Sequence, residues 1–266
     1  MPYIDRPGGR IYWESRGEGE PVLFIMGMAF SLDMWFRVSS HAAQSYRCIL
    51  FDNRGAGRSD APKGLFTIAG MADDAAAVLE AAGAESAHVL GASMGGMIAQ
   101  ELALRRPEMV RSLTLGCTHC GWLWSKLPRW RVFRAVWRTR RAAPERALEV
   151  LDGHLYHPRT AAAVIEEDRV LRLRHLPSAR GYRNQILAVM LWPGSRWRLS
   201  RLRIPTIVIH GADDPLIPAE NGRALAKLIP GAKLEVVHAC SHVMPADQPE
   251  RTVAIVLEFL AAQRKR

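Results

Sequence analysis

Residues Ser86 to Arg106 limit most narrowly what this chain can fold into. A short apolar run, His88 to Leu90, passes into Gly91-Ala92-Ser93-Met94-Gly95-Gly96, and an alanine- and leucine-rich stretch from Met94 to Arg106 follows with no linker. The run is too short for a helix, whereas the stretch keeps helical periodicity up to Pro107, so a strand must turn sharply into a helix. The glycines suit so tight a turn because a Cβ there would collide with neighbouring backbone. A serine at the apex is lifted above the sheet edge, at a helix start whose dipole favours nearby negative charge. Gly-x-Ser-x-Gly between a strand and a helix makes Ser93 a candidate nucleophile.

The rest of the chain repeats the same grammar. Val22 to Met26, Cys48 to Asp52 and Ser112 to Leu115 read as strands, and Ile68 to Ala82 as a helix stopped by Gly83. Strands alternating with helices require right-handed crossovers, which predicts a mostly parallel central sheet covered on both faces, an α/β fold. From Gly121 the pattern breaks. Tryptophan and arginine interleave, Ala143 to Gly153 and Thr160 to Arg174 look helical, and no strand is evident until Thr206 to His210. Sheet grammar then resumes with a helix over Ala219 to Leu228, a strand over Lys233 to Val237 and a helix over Pro249 to Ala262. The expected organisation is a core of residues 1–120 and 204–266 with a packed helical cap, 121–203, inserted between two strands of one sheet.

The formal net charge of +10 invites a nucleic-acid reading. Its distribution argues against one: residues 121–203 hold 18 basic and 6 acidic residues, and the remainder holds 18 and 20. The N-terminus lacks a signal-peptide pattern and no apolar stretch reaches the ~18 to 20 residues needed to span a bilayer, so a cytoplasmic protein is expected. Four cysteines are too few for a disulfide scaffold in a chain of 266 residues. Cys117-Thr-His-Cys120 lacks the second ligand pair zinc would need, so a structural role and no metal are expected.

A serine hydroxyl needs a general base that is itself oriented by a carboxylate. Two loops after late strands offer them: Gly211-Ala212-Asp213-Asp214-Pro215 and His238-Ala239-Cys240-Ser241-His242. Both lie at the carboxyl ends of strands, where open α/β sheets place their ligands. With these residues the chain resembles the α/β hydrolases, in particular the 3-oxoadipate enol-lactonase and small-ester hydrolase group. The likeness covers Val22 to Thr118 and Arg203 to Leu260 and fades across the cap. It implies a Ser93, Asp214 and His242 triad. The family's acid sits four residues after the histidine of a His-Gly-x-x-Asp segment, here His210, with Asp213 as the competing carboxylate. His242 takes the position that follows a glycine in relatives, where this chain has Ser241. His238, at the end of a strand, is the weaker candidate for the base. The oxyanion hole would use the backbone N–H of Met94 and that of Met28, in Met26-Gly27-Met28 where relatives read His-Gly-x. Asp52 to Ser59 resembles a structural loop of the family, with Arg54 bonding backbone or a carboxylate.

These residues imply a serine hydrolase that cleaves a carboxylic ester or lactone through an acyl-enzyme, without a cofactor. Its partner would be a small apolar or aromatic molecule, and a homodimer is compatible with the sequence. Serine at the elbow disfavours dehalogenase and epoxide hydrolase chemistry. Alternatives on the same fold are a perhydrolase, a carbon–carbon bond hydrolase, or a sensor that binds ligand without turnover. In the cap, tryptophans are expected to pack it onto the sheet while arginines cover the outer face with their charges in water; tryptophans such as Trp122, Trp124 and Trp192 would select the acyl group if they faced the cleft, and arginines such as Arg129 and Arg131 would hold a carboxylate on it. Should they line an exposed face instead, a membrane-surface or nucleic-acid role gains ground.

Overall fold

Strand pairing builds one eight-stranded sheet from the described residues, in the order β1-β2-β4-β3-β5-β6-β7-β8. The structure is a computed structural model that describes residues 2–128, 130–139 and 144–264. β1 (Tyr3–Arg6) and β2 (Gly9–Arg16) form an antiparallel hairpin, and β2 pairs antiparallel with β4. β3 (Glu20–Ile25), β4 (Tyr46–Phe51), β5 (Ala87–Ala92), β6 (Val110–Gly116), β7 (Thr206–Gly211) and β8 (Lys233–Val237) are parallel. The expected parallel strands are all present. The edge hairpin was not anticipated because most of its residues are half-exposed or exposed and its apolar run, Ile11 to Trp13, is only three residues long.

Side chains alternate across the sheet with the period of two that strands impose. Leu23 and Ile25 of β3 join one buried cluster, while Val22 and Phe24 join the other. The first cluster is covered by α2 (Ile68–Ala81), α3 (Met94–Arg105) and α8 (Glu220–Leu228), the second by α1 (Phe36–Ala42) and α10 (Pro249–Gln263). A short helix, α9 (Met244–Asp247), precedes α10.

Between β6 and β7 run α4 (Trp130–Thr139), α5 (Pro144–Leu155), α6 (Ala162–Arg174) and α7 (Ala179–Met190). The expected start of one helix at Ala143 lies outside the described residues. α4 and α7 were not anticipated, because arginines and tryptophans blur the apolar period of the first and Gly181 and Asn184 that of the second. Ser178 caps α7 by accepting from the Gly181 N–H at 3.1 Å. Gly181 lets α7 lie against the loop after β4, since a Cβ there would stand 2.1 Å from the Gly55 carbonyl oxygen. Arg37 of α1 pairs with Glu167 and with buried Asp168 of α6, tying a second helix of this segment to a helix that covers the sheet.

Candidate active site

Ser93 sits between β5 and α3 with φ 56° and ψ −121°. For a non-glycine residue such a backbone costs about 1–3 kcal/mol and persists only when the surroundings over-determine it. Here they do. The Ser93 N–H donates to the Gly116 carbonyl at 2.8 Å, and the Ser93 carbonyl accepts from the Thr118 hydroxyl at 2.7 Å and the Gly96 N–H at 2.9 Å. Gly95 lets α3 approach β3: a Cβ there would lie 2.1 Å from the Ile25 carbonyl oxygen.

The loop after β7 brings the side chain of Asp214, and not that of Asp213, to His242 in the loop after β8, while the Asp213 N–H donates to the Cys240 carbonyl at 2.9 Å. His242 Nδ1–H donates to Asp214 Oδ2 at 2.7 Å. The other carboxylate oxygen, Oδ1, accepts the backbone N–H groups of Leu216 and Ile217, each at 2.9 Å. Burial pushes the Asp214 carboxyl up, but His242 and, to a lesser degree, the Ile217 amide outweigh it and hold the group below its ordinary value. Asp214 is therefore ionised at neutral pH. His210, buried behind it and kept neutral by burial, donates its Nε2–H to the Ile217 carbonyl at 2.7 Å. Asp213 instead turns outward, its side chain 54% exposed and 3.6 Å from His157. His238 is exposed as well.

The His242 loop needs no glycine at Ser241, because the left-handed residue of this loop is Ala239, with φ 49°. The loop is instead held by the segment between β6 and β7 and by α9. The carbonyl of Leu155, at the end of α5, accepts from the N–H groups of His242 at 3.0 Å and Val243 at 3.1 Å. Asp247 accepts from the Ser241 N–H at 2.6 Å through one oxygen, and from the His157 N–H at 3.0 Å and the Thr160 hydroxyl at 2.6 Å through the other. Neither contact was foreseen, and only the Asp247 side chain could have signalled one.

Across from Ser93 lies the loop after β3. Met94 is the first residue of α3, so its N–H has no intrahelical acceptor. No hydrogen bond among the described residues engages the Met28 N–H either. Ala29, with φ 68°, donates its N–H at 2.8 Å to Oε1 of Gln185, a buried α7 residue whose Nε2 donates to the Arg54 carbonyl at 2.9 Å. Asn53 donates to the Met26 carbonyl at 2.8 Å, Asp52 accepts from the Leu32 and Arg58 N–H groups, and Arg54 pairs with Asp74. The Asp52 to Ser59 segment thus braces the loop that carries Met28.

Ser93 and His242 open on one cavity of about 110 Å³. Its walls are Met26, Met28, Met34 and Leu90 from the sheet side, Leu151 and Leu155 of α5, and the rings of Phe30, Trp35 and Tyr182. No Asp, Glu, Lys or Arg lines it among the described residues. The three tryptophans named as candidates for the cleft do not line it. Trp192 is buried against α3, its indole N–H donating to Glu101 at 2.8 Å; Trp122 meets His119 edge-on; Trp124 packs on Trp197 at the surface. Arg131 is exposed, and Arg129 lies outside the described residues.

Cys117, Asp214 and His242 hold potential metal-ligand atoms within 4.8 Å of one another. Burial, with Asp214 beside it, pushes the Cys117 thiol well above its ordinary value, and Asp214 and His242 already bond each other. Cys48, Cys120 and Cys240 are likewise buried and unbridged.

Residues 20–249 match the model of the alpha/beta hydrolase fold family. The chain belongs to this family. It is 35% identical over 263 residues to the protein named carbamate hydrolase RutD in Azorhizobium caulinodans, covering 97% of this chain and 98% of that one. It is 31% identical over 268 residues to the 2-hydroxymuconate semialdehyde hydrolase of Pseudomonas putida, covering 96% and 92%. A thermophilic esterase from Thermogutta terrifontis superposes with a TM-score of 0.84 at 28% identity, covering 99% of this chain and 97% of that one. This alpha/beta hydrolase therefore belongs among enzymes with differing substrates. No helix of the described residues is long and apolar enough to cross a membrane.

Proposed function

We propose that this alpha/beta hydrolase cleaves a carboxylic ester or lactone with an uncharged, apolar acyl group, using Ser93 as nucleophile, His242 as base and Asp214 as the orienting acid. The observation that carries the reading is the shared apolar cavity: Ser93 at a strained elbow and His242 both face it, with Asp214 2.7 Å behind the imidazole. Because Nδ1 donates to Asp214, Nε2 is the nitrogen left to take the Ser93 proton. As Oγ attacks the carbonyl carbon, the oxygen becomes an anion, and the N–H groups of Met28 and Met94 are the donors offered to it. Collapse of the tetrahedral intermediate breaks the bond to the alkoxide, which leaves with the proton from His242. Water, deprotonated by the same nitrogen, then releases the acid and frees Ser93.

A cavity of this size and apolarity suits a group about as large as a benzene ring. In this reading residues 121–203 form the cap, with α5 and α7 closing the cavity through Leu151, Leu155 and Tyr182. The test is a panel of p-nitrophenyl esters of increasing chain length alongside lactones, with a fluorophosphonate probe. Turnover that peaks at short or aromatic acyl groups, with the label on Ser93 and lost in Ser93→Ala, supports the reading. Labelling without turnover on any ester or lactone would replace it by another chemistry of the same serine, or by a sensor.

A further inference from the structure

Residues 121–144 carry Lys126 and six arginines, four tryptophans and no acidic residue. At about 100° per residue, Trp130, Arg131, Arg134, Trp137 and Arg138 fall on a single arc of α4 about 120° wide. All five are exposed, Trp130 by 65%. The loop before α4 adds Leu123, 81% exposed, and Leu127. It is pinned to α8 by Asn221, which bonds both the N–H and the carbonyl of Lys126. From the far end of the segment Trp197, 69% exposed, meets Trp124 edge-on at 5.3 Å between ring centroids. Arg196 lies over both rings, 5.8 and 5.5 Å from their centroids. The Trp124, Arg196 and Trp197 cluster thus joins the loop after β6 to the turn before β7, the exposed face of α4 begins six residues after Trp124, and none of these residues lines the cavity.

A contiguous exposed apolar patch marks an interaction site, whereas single exposed side chains do not. Nucleic-acid phosphates would satisfy the arginines but give Leu123 and Leu127 nothing. A second copy seated across a two-fold axis would set arginine against arginine. An anionic bilayer meets both demands: guanidinium groups pair with phosphates, indoles rest at headgroup level, and leucines reach the acyl boundary. We infer that the outer face of residues 121–203 docks this enzyme on anionic lipid membranes. The helix that would lie on the bilayer, α4, packs on α5, which supplies Leu151 and Leu155 to the cavity wall. Docking therefore holds that wall beside the membrane without any span.

The experiment is flotation of the full chain with vesicles of phosphatidylcholine alone and of an equimolar mixture with phosphatidylglycerol, at low and moderate salt. The protein should float only with the anionic vesicles. Arg134→Gln with Arg138→Gln should weaken partitioning about fivefold per arginine, roughly 25-fold together. Leu123→Ser with Trp197→Ser should weaken it at least about tenfold, including at moderate salt where charge pairs are screened. Turnover of a soluble ester serves as the folding control and should be unchanged in both variants. Absence of flotation with anionic vesicles overturns the proposal. So does binding that ignores the Leu123 and Trp197 changes and is competed away by duplex DNA, which would make the face a polyanion site. A dimer by light scattering that those same changes dissociate would assign the face to a second copy, and would overturn it too.

Discussion

Replacing Asp214 by asparagine should leave the fold nearly intact and remove most of the catalysis. The reason lies in the two N–H groups of Leu216 and Ile217, both of which point at Oδ1. An asparagine must keep its carbonyl oxygen there, since turning its NH2 toward them would set donors against donors and strand two buried amides at about 1–3 kcal/mol each. Its NH2 is then forced onto His242 Nδ1, where the carboxylate now accepts at 2.7 Å. Nδ1 becomes the acceptor and the ring proton moves to Nε2, where it blocks removal of the Ser93 proton. A base held in the wrong tautomer costs about 10⁴ in kcat, about 5.4 kcal/mol of barrier. We would measure kcat and KM on a p-nitrophenyl ester and Tm by circular dichroism, with Asp213→Asn as the control. Asp213 is exposed and should lose less than about twofold, as surface substitutions do. A fall below about 100-fold in Asp214→Asn with native-like Tm, or a larger fall in Asp213→Asn, would refute this account of the pair.

Three further outcomes are expected. Gln185→Met strands the Ala29 N–H and the Arg54 carbonyl and loosens the Met28 loop, so kcat should drop about tenfold or more with a smaller change in KM, and Tm should fall; Gln185→Glu, which keeps the acceptor for Ala29, should recover part of the rate, and equal behaviour of the two variants would count against a positioning role. Since no Lys or Arg among the described residues lines the cavity, a carboxylate-bearing ester should have kcat/KM about 100-fold or more below a neutral ester of equal size; KM for the neutral ester should not change with salt, and parity between the two esters would disprove the apolar assignment. Burial lowers the His119 pKa to about 4, and its Nδ1 accepts the Gly121 N–H. The unfolded chain binds this proton first, so stability is complete above about pH 6.5 and declines as pH falls toward 4, by roughly 3 kcal/mol for this residue; His119→Gln should flatten Tm against pH in that window, and an unchanged slope would exclude His119 as the cause.

Much of this molecule could be read before any coordinates. The strand into Gly91, the glycines around Ser93 and the helical period after Met94 are local, and the steric rules they obey act over a few residues. The same holds for the six parallel strands, whose apolar runs need burial on both faces. The edge hairpin was hidden because half-exposed strands leave a weak pattern.

The choice between Asp213 and Asp214 is not local. Adjacent residues of one turn point to opposite sides, and which one meets His242 depends on where the loops after β7 and β8 come to rest. Residues 121–203 illustrate the same limit, since composition shows that tryptophan and arginine are abundant there but not which way they face. Tertiary packing sent Trp192 to Glu101 beneath α3 and Trp124 to Trp197 on the outside, and it left Phe30, Trp35 and Tyr182 to line the cavity. It also recruited the Leu155 carbonyl and Gln185 to hold the His242 and Met28 loops, contacts 87 or more residues apart in the chain. Sequence determined which backbone conformations and buried faces were available. Only the packing of distant segments, each with buried hydrogen bonds to satisfy, decided which side chains meet around Ser93.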